Sequence, residues 1–378
     1  MIQVSKPSLG ADELAAVGAV FDSGWLGLGA TTYAFEQALS ERFGGREVIA
    51  VNTGSAALHL ALASLSLQPG DEVIVPSVTF AASVQMILAA GGVPVFCESR
   101  DTDLLMDVDD VERRLTPRTR AIMPVHYCGQ ACDMDRLLPL ARRQGLTIVE
   151  DAAHAFGSTY HGQPVGAFGD LTCFSFDPIK NITCGEGGAV VTGSPEIADA
   201  LRRMRLLGID KDTWHRYRNT RSWQYEVTGP GFRYHMPNFC AAVGLAQLPK
   251  LDAFVARRRA IARAYDTKFA ALRSVQTLAV DYGEAAPHIY IVRVDAAVRD
   301  AFMAHLAERG VGSGIHYIAN HIQPYFAPYL RGPLPGADRL WQEIVTLPLY
   351  VGLTDDEVGT VIAAVESFEE VSAAAGQR

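Results

Sequence analysis

The chain has 378 residues, 49% of them hydrophobic and 20% charged, and carries a formal net charge of −9. This length suits about two globular domains with ample apolar material for a core, and the acidic balance weighs against nucleic acid as a general partner. The start MIQVSKPSLGADEL lacks the segments of a signal peptide, and the uncharged run from Val73 to Cys97 is interrupted by Pro76, Gly91, Gly92 and Pro94, so a cytoplasmic setting without a membrane partner is expected.

In chain order, VIAVN (48–52) reads as a strand and TGSAALHLALASL (53–65) as the helix after it. VIVP (73–76) is a strand and AASVQMILAA (81–90) a helix, and VPVFC (93–97) and AIMPVH (121–126) are further strands. The segment MDRLLPLARRQG (134–145) is a helix closed by Gly145, and the strands LTIVE (146–150), LTCFSF (171–176) and GAVVT (188–192) follow. Strands and helices alternating at this spacing predict a mixed, mostly parallel sheet with helices on both faces, and the unbroken apolar strands fit burial from both sides. After about residue 195 helical patterns dominate, including a long one from Pro249 to Leu272. The strand HIYIVRV (288–294), a helix near 299–309 and a closing helix near 354–369 then predict a small C-terminal α+β domain. The expected division is a large α/β domain over 1–250 and a small domain over 251–378.

Six cysteines in a long chain of this kind read as reduced and buried rather than paired. In HYCGQAC, His126, Cys128 and Cys132 have the residue types of a metal site, yet no second CxxC or HxxxH completes a ligand set, and no metal is expected.

Open α/β sheets bind ligands beyond the carboxyl ends of their strands, so the residues just past each strand carry the functional reading. The turn Asn52-Thr53-Gly54-Ser55-Ala56 opens a helix, where free N–H groups favour a phosphate; an ordinary N-cap at Thr53 or Ser55 is the alternative. Phe80 follows the second strand and is either a stacking surface for a flat ligand or core. Asp151 follows four largely apolar strand residues and needs a cationic or strong donor partner if buried. His154 is either a ligand contact or a structural histidine. Lys180 ends the run FSFDPIK beyond Pro178, and the glycines 185, 187 and 188 after it leave room for a ligand. A partly desolvated lysine has lowered proton affinity and becomes a nucleophilic amine. An aldehyde cofactor with a phosphate tail uses these parts together. Lys180 bonds the aldehyde, Asp151 keeps a ring nitrogen protonated, Phe80 stacks on the ring, and the 53–56 turn with Ser175 takes the phosphate. This is the pattern of pyridoxal 5'-phosphate (PLP).

These residues sit in longer segments, among them NTGSAALHLAL (52–62), PSVTF (76–80), VEDAAHAFG (149–157), FSFDPIKNITCGEGGAVVT (174–192), GFRYHMPNFCAAVGLAQL (231–248) and LPLYVGLT (347–354). In these segments the chain resembles the DegT/DnrJ/StrS-type sugar aminotransferases of the fold-type I PLP enzymes, which share the aspartate aminotransferase-like fold. The resemblance implies PLP held covalently on Lys180, with pyridoxamine phosphate (PMP) as the intermediate form, and Asp151 as partner of the pyridine nitrogen. It implies His154 near the phenolic oxygen, Ser55, Ala56 and Ser175 at the phosphate, and Phe80 on the ring. It also implies a homodimer with shared active sites. Many relatives have Asn where this chain has Arg233, so Arg233 is expected either at the phosphate across the dimer or at a substrate diphosphate.

The implied reaction moves an amino group from L-glutamate to a keto group of a nucleotide-linked deoxy sugar. Relatives that remove a sugar hydroxyl with PMP carry His in place of the lysine, so Lys180 favours amine transfer. A non-catalytic PLP-binding regulator is the third reading. Its candidate nucleic-acid surface is the basic stretch 202–221, whose Trp214 and Tyr217, with Trp223 just beyond, fit a loop over a nucleotide sugar equally well. Trp25 and the loop residues His316, Tyr317 and His321 are the candidate sugar contacts, each with plain packing as the alternative.

Overall fold

The structure is a computed structural model that describes residues 1–210 and 225–375, with side chains to 369. Trp214, Tyr217, Trp223 and half of the basic stretch lie outside the described residues. The chain opens with helices α1 (Ala11–Ser23) and α2 (Ala30–Arg42), then alternates. Strand β1 (Glu47–Val51) leads to α3 (Gly54–Ala63), β2 (Glu72–Pro76) to α4 (Ala81–Ala89), and β3 (Val93–Cys97) to α5 (Val108–Arg114). Then come β4 (Thr119–Ile122), α6 (Met134–Gln144), β5 (Thr147–Asp151), a small hairpin β6 (Thr159–Tyr160) and β7 (Gln163–Pro164), β8 (Leu171–Ser175) and β9 (Gly188–Thr192). Helices α7 (Pro195–Met204), α8 (Asn238–Gln247) and α9 (Leu251–Phe269) precede β10 (Gln276–Thr277), β11 (Tyr290–Arg293), α10 (Arg299–Glu308), α11 (Pro335–Glu343), β12 (Ile344–Leu347) and α12 (Asp355–Ala375).

Seven strands form the large sheet in the order β1-β9-β8-β5-β4-β2-β3. Only β9 runs against its neighbours within this sheet; the other strands point the same way. Their carboxyl ends therefore share one edge. Register makes the edge specific: Ser175 and Val51 both pair with Gly188, and Asp151 pairs with Cys173. A side chain at Gly188 would put its Cβ 2.4 Å from the Thr53 carbonyl oxygen, so the β1–α3 turn can sit against β9 only because residue 188 has none.

Two expected strands shift at this edge. AIMPVH ends as a strand at Ile122, because Pro124 has no N–H for the ladder. The chain then returns to make an isolated bridge from Val125 to Asp151. The strand expected over 146–150 spans Thr147–Asp151, so Asp151 is its last member. Its N–H donates to the Pro124 carbonyl at 2.9 Å, and its carbonyl accepts the His126 N–H at 3.0 Å. The metal-like residues of HYCGQAC are used structurally: the His126 ring meets Glu150 at 2.8 Å and accepts the Cys132 N–H at 3.1 Å.

Both faces of the large sheet are packed with buried apolar side chains, and a separate cluster fills the space beneath the antiparallel sheet β10-β11-β12. Helix α9 serves both sides. Leu251 and Val255 pack with Phe35 and Phe174, while Ile261, Tyr265 and Phe269 pack with Tyr290 and Phe302. A division of the chain near 251 is thus a proposal that cuts at the start of a shared helix. The continuous run Asn238–Phe269 is, by length and composition, long and apolar enough to cross a membrane, but Ala241, Leu251, Ile261 and Tyr265 within it are buried in the fold.

A buried ion pair ties three of these elements together. Arg205, at the end of α7, is 1% exposed and pairs with Glu36 of α2; Glu36 also accepts the Ala50 N–H, and Arg205 donates to the Ala50 carbonyl. Replacing Glu36 by Leu strands a buried guanidinium without its carboxylate. The expected cost is about 3–5 kcal/mol of stability, read as a lowered urea midpoint.

Candidate active site

A cavity of about 310 Å³ opens where the β1, β2, β5 and β8 ends meet the loop containing His316 and Tyr317. Its base is fixed by short-range chemistry. Thr53 is the N-cap of α3 and its hydroxyl accepts the Ala56 N–H at 3.0 Å. Gly54 lies so close to β8 that a Cβ there would sit 2.7 Å from Ser175 Cβ, which brings the Ser175 hydroxyl to the helix start.

Asp151 is 5% exposed and lines the cavity. One carboxylate oxygen accepts the Ser83 hydroxyl at 2.7 Å and the other the Ala153 N–H at 3.1 Å; the Ser83 hydroxyl in turn lies 3.1 Å from that of Thr79. Lys180 stands on a tight turn after β8. Its N–H donates to the Asp177 carbonyl, and the Asp177 side chain accepts the Ile179 N–H. The Lys180 amine reaches into the cavity, 3.3 Å from Nε2 of His288. Burial lowers the ammonium from 10.5 to about 8, against the upward pull of Asp177 and Asp151.

His154 is buried, with Nε2 2.9 Å from the Tyr317 hydroxyl and Nδ1 without a partner among the described residues. Burial, and then the Lys180 charge, push His154 well below its ordinary value, so its ring is neutral. Burial also raises Tyr317, which stays a phenol, and its ring packs 5.5 Å from that of Phe80. His316 lines the same wall, with Nδ1 2.8 Å from the Thr346 hydroxyl.

Of the residues singled out in the sequence, Ser55, Phe80, Asp151, His154, Ser175, Lys180, His316 and Tyr317 line this one cavity. Four do not. Ala56 is 4% exposed and its N–H is taken by Thr53. Trp25 donates its indole N–H to the Leu28 carbonyl at 2.8 Å and lies over Gly29. His321 is 3% exposed and held from both sides, by the Ser77 hydroxyl at 2.7 Å and Asp338 at 2.9 Å. Arg233 is exposed on the segment after the undescribed residues, bridged to Leu206. Two of the three glycines after Lys180 are also placed differently from expectation, while Gly185 takes a positive φ with nothing within 4 Å of a side chain there. Gly188 makes room for the Thr53 backbone and Gly187 for the Met236 side chain, so their freedom serves packing and not a ligand.

Sequence reasoning missed His288, Ser83 and Thr79. His288 was legible only as the first letter of a strand, and the two hydroxyls only as part of a helix start. Nothing in the sequence ties them to residues 68 or more positions away.

An amine of lowered proton affinity, a buried carboxylate with fixed orientation and a helix start with two hydroxyls make a donor set for a phosphorylated aldehyde. The sequence model of the DegT/DnrJ/EryC1/StrS aminotransferase family matches residues 7–366. TlmJ, an aminotransferase from Streptoalloteichus hindustanus, is 36% identical and superposes with a TM-score of 0.91, covering 99% of this chain and 100% of that one. The sugar aminotransferase CalS13 from Micromonospora echinospora is 34% identical with a TM-score of 0.89, covering 97% of this chain and 100% of its own. Spr1654 from Streptococcus pneumoniae, 31% identical, has been solved in PMP and PLP forms, with TM-scores of 0.92 and 0.91 over 98% of this chain and 99% and 98% of those. The fold, the cofactor and the type of reaction follow together: the chain belongs to the DegT/DnrJ/EryC1/StrS aminotransferase family and is a PLP-dependent sugar aminotransferase.

Proposed function

We propose that the enzyme transfers an amino group from L-glutamate to a keto group of a nucleotide-linked deoxy sugar, using PLP held covalently on Lys180. One observation carries the assignment of PLP to Lys180: the amine of lowered proton affinity, the fixed carboxylate of Asp151 and the start of α3 face a single cavity. The cofactor supplies an electron sink and a carrier for the amino group. The remaining roles fall to the protein. Asp151 holds the proton on the pyridine nitrogen, since a buried carboxylate needs such a partner. The backbone of Gly54 and Ser55 with the Ser55 and Ser175 hydroxyls binds the phosphate; Ala56, whose N–H is committed to Thr53, does not donate. His154, which lines the cavity, stands near the phenolic oxygen as the resemblance of the motifs implies, and Phe80 covers the ring.

With PLP bound, the Lys180 amine would take up and return a proton at the substrate carbon, and taking it up requires the uncharged form. His316 and Tyr317 stand on the sugar side, whereas Trp25 and His321 act through packing. The glutamate donor and the nucleotide link rest on the resemblance of the motifs. Among the described residues no arginine lines the cavity, so the carboxylates of glutamate call for a cation from elsewhere. The exposed Arg233 would reach the phosphate, or a substrate diphosphate, of a second copy in a homodimer with shared sites. The exposed apolar Leu9, Leu14 and Phe21, on or beside α1, offer a contact face. All six cysteines are free and buried, in keeping with a reducing cytoplasm.

Lys180→Ala is expected to lose transamination by more than about 10³-fold while still holding PLP noncovalently, as read by turnover and by absorbance. Wild-type turnover in this variant would rule the mechanism out. In the apoenzyme the amine captures the aldehyde only when uncharged. The rate of capture should therefore rise as pH passes about 8 and level off above it. L-glutamate added to PLP enzyme should convert its absorbance to that of the PMP form, and a panel of nucleotide-linked keto sugars should restore it. An inert response to glutamate alongside a response to another amino acid would reassign the donor.

A further inference from the structure

The sole side-chain hydrogen-bond partner of the Lys180 amine among the described residues comes from 108 positions further along the chain: His288, at 3.3 Å. His288 is 2% exposed, its ring centre lies 4.6 Å from that of His154, and its Nδ1 has no partner. Behind it stands Arg258 of α9, also 2% exposed. One guanidinium nitrogen donates to the carbonyls of His288 and Leu349, both at 3.0 Å, while Nε is unpartnered and no carboxylate pairs with the group among the described residues. An arginine remains charged even when buried, so this corner already holds an uncompensated cation.

We propose that His288 is a positioning residue for Lys180: neutral, with its proton on Nε2, it donates a hydrogen bond to the amine lone pair and favours the uncharged, nucleophilic lysine, while Arg258 opposes a second positive charge. The inference rests on Lys180 being the lysine that bonds PLP. A lysine ammonium can only donate, so it requires a bare Nε2 and a proton on Nδ1. That proton would be a buried N–H without an acceptor, which costs about 1–3 kcal/mol. A proton on Nε2 leaves only a lone pair unmatched at Nδ1 and suits the uncharged amine.

The other groups facing the amine divide. Asp177 on its own turn and Asp151 at the end of β5 favour the ammonium, and Arg258 disfavours it. Burial holds His154, His316 and His288 itself neutral, to which Lys180 adds only while it is charged, and Tyr317 keeps its proton. His288 is therefore the contact that can tip the balance locally.

The test is the pH dependence of PLP capture by apoenzyme, followed by absorbance from about pH 6 to about pH 10. In His288→Gln the amide oxygen can accept from an ammonium, so the midpoint should rise by about one pH unit and capture below the wild-type midpoint should slow by about tenfold. An unmoved midpoint in a variant with wild-type circular dichroism overturns the proposal. Should His288→Gln fail to fold, isotope-edited NMR of the imidazole nitrogens in wild-type apoenzyme decides: a neutral His288 with its proton on Nε2 supports the proposal, and an imidazolium or a proton on Nδ1 overturns it. Lys180→Ala run in parallel separates the two levels. If that variant captures PLP covalently as the wild type does, the underlying reading of Lys180 fails, whatever the His288 variant shows.

Discussion

A lysine amine taken out of water gives up its charge more readily than one left in it, and the site depends on where the fold holds this particular amine. Two carboxylates, Asp177 and Asp151, would keep it charged; burial overrides them and lowers the ammonium to about 8. The outcome places the amine within reach of its uncharged form near neutral pH without a dedicated base beside it. The same burial neutralises the histidines around it, so the charges acting on the amine are those of Asp177, Asp151 and Arg258.

The sheet makes that burial possible. Because the strands on either side of β9 run one way, their carboxyl ends crowd one edge, and the turns leaving β1, β2, β5 and β8 close a cavity over it. Asp151 is held there by its backbone on both sides and by two hydrogen bonds to its carboxylate. The Gly54 and Gly188 contacts press the α3 start onto β8 and β9. The reactive groups therefore stand on strand ends and tight turns rather than on long loops, which is the support that chemistry at fixed geometry needs.

The large sheet and the meeting of Asp151 with Lys180 at one edge were legible in the sequence for a physical reason: a charged residue that closes a buried strand, or stands on the turn leaving one, lies at the sheet edge, as Asp151 and Lys180 do. What the sequence did not carry was partnership. His321 looked like a loop histidine open to substrate, but Ser77 and Asp338 hold it from both sides. Ala56 looked like part of a phosphate turn, yet the Thr53 cap takes its N–H. Gly187 and Gly188 looked like room for a ligand and instead make room for Met236 and for backbone. His288 and Ser83 went unremarked because their partners come from distant segments, which periodicity and spacing cannot pair.

The central claim is that Lys180 is the residue that bonds PLP, and the chain has five lysines among which it can be tested. Borohydride reduction of the PLP-loaded enzyme followed by peptide mass mapping is the most direct measurement. The reduced cofactor is expected on the peptide containing Lys180 and on no other lysine. Cofactor mass on Lys6, Lys211, Lys250 or Lys268, with Lys180 unmodified, would contradict it.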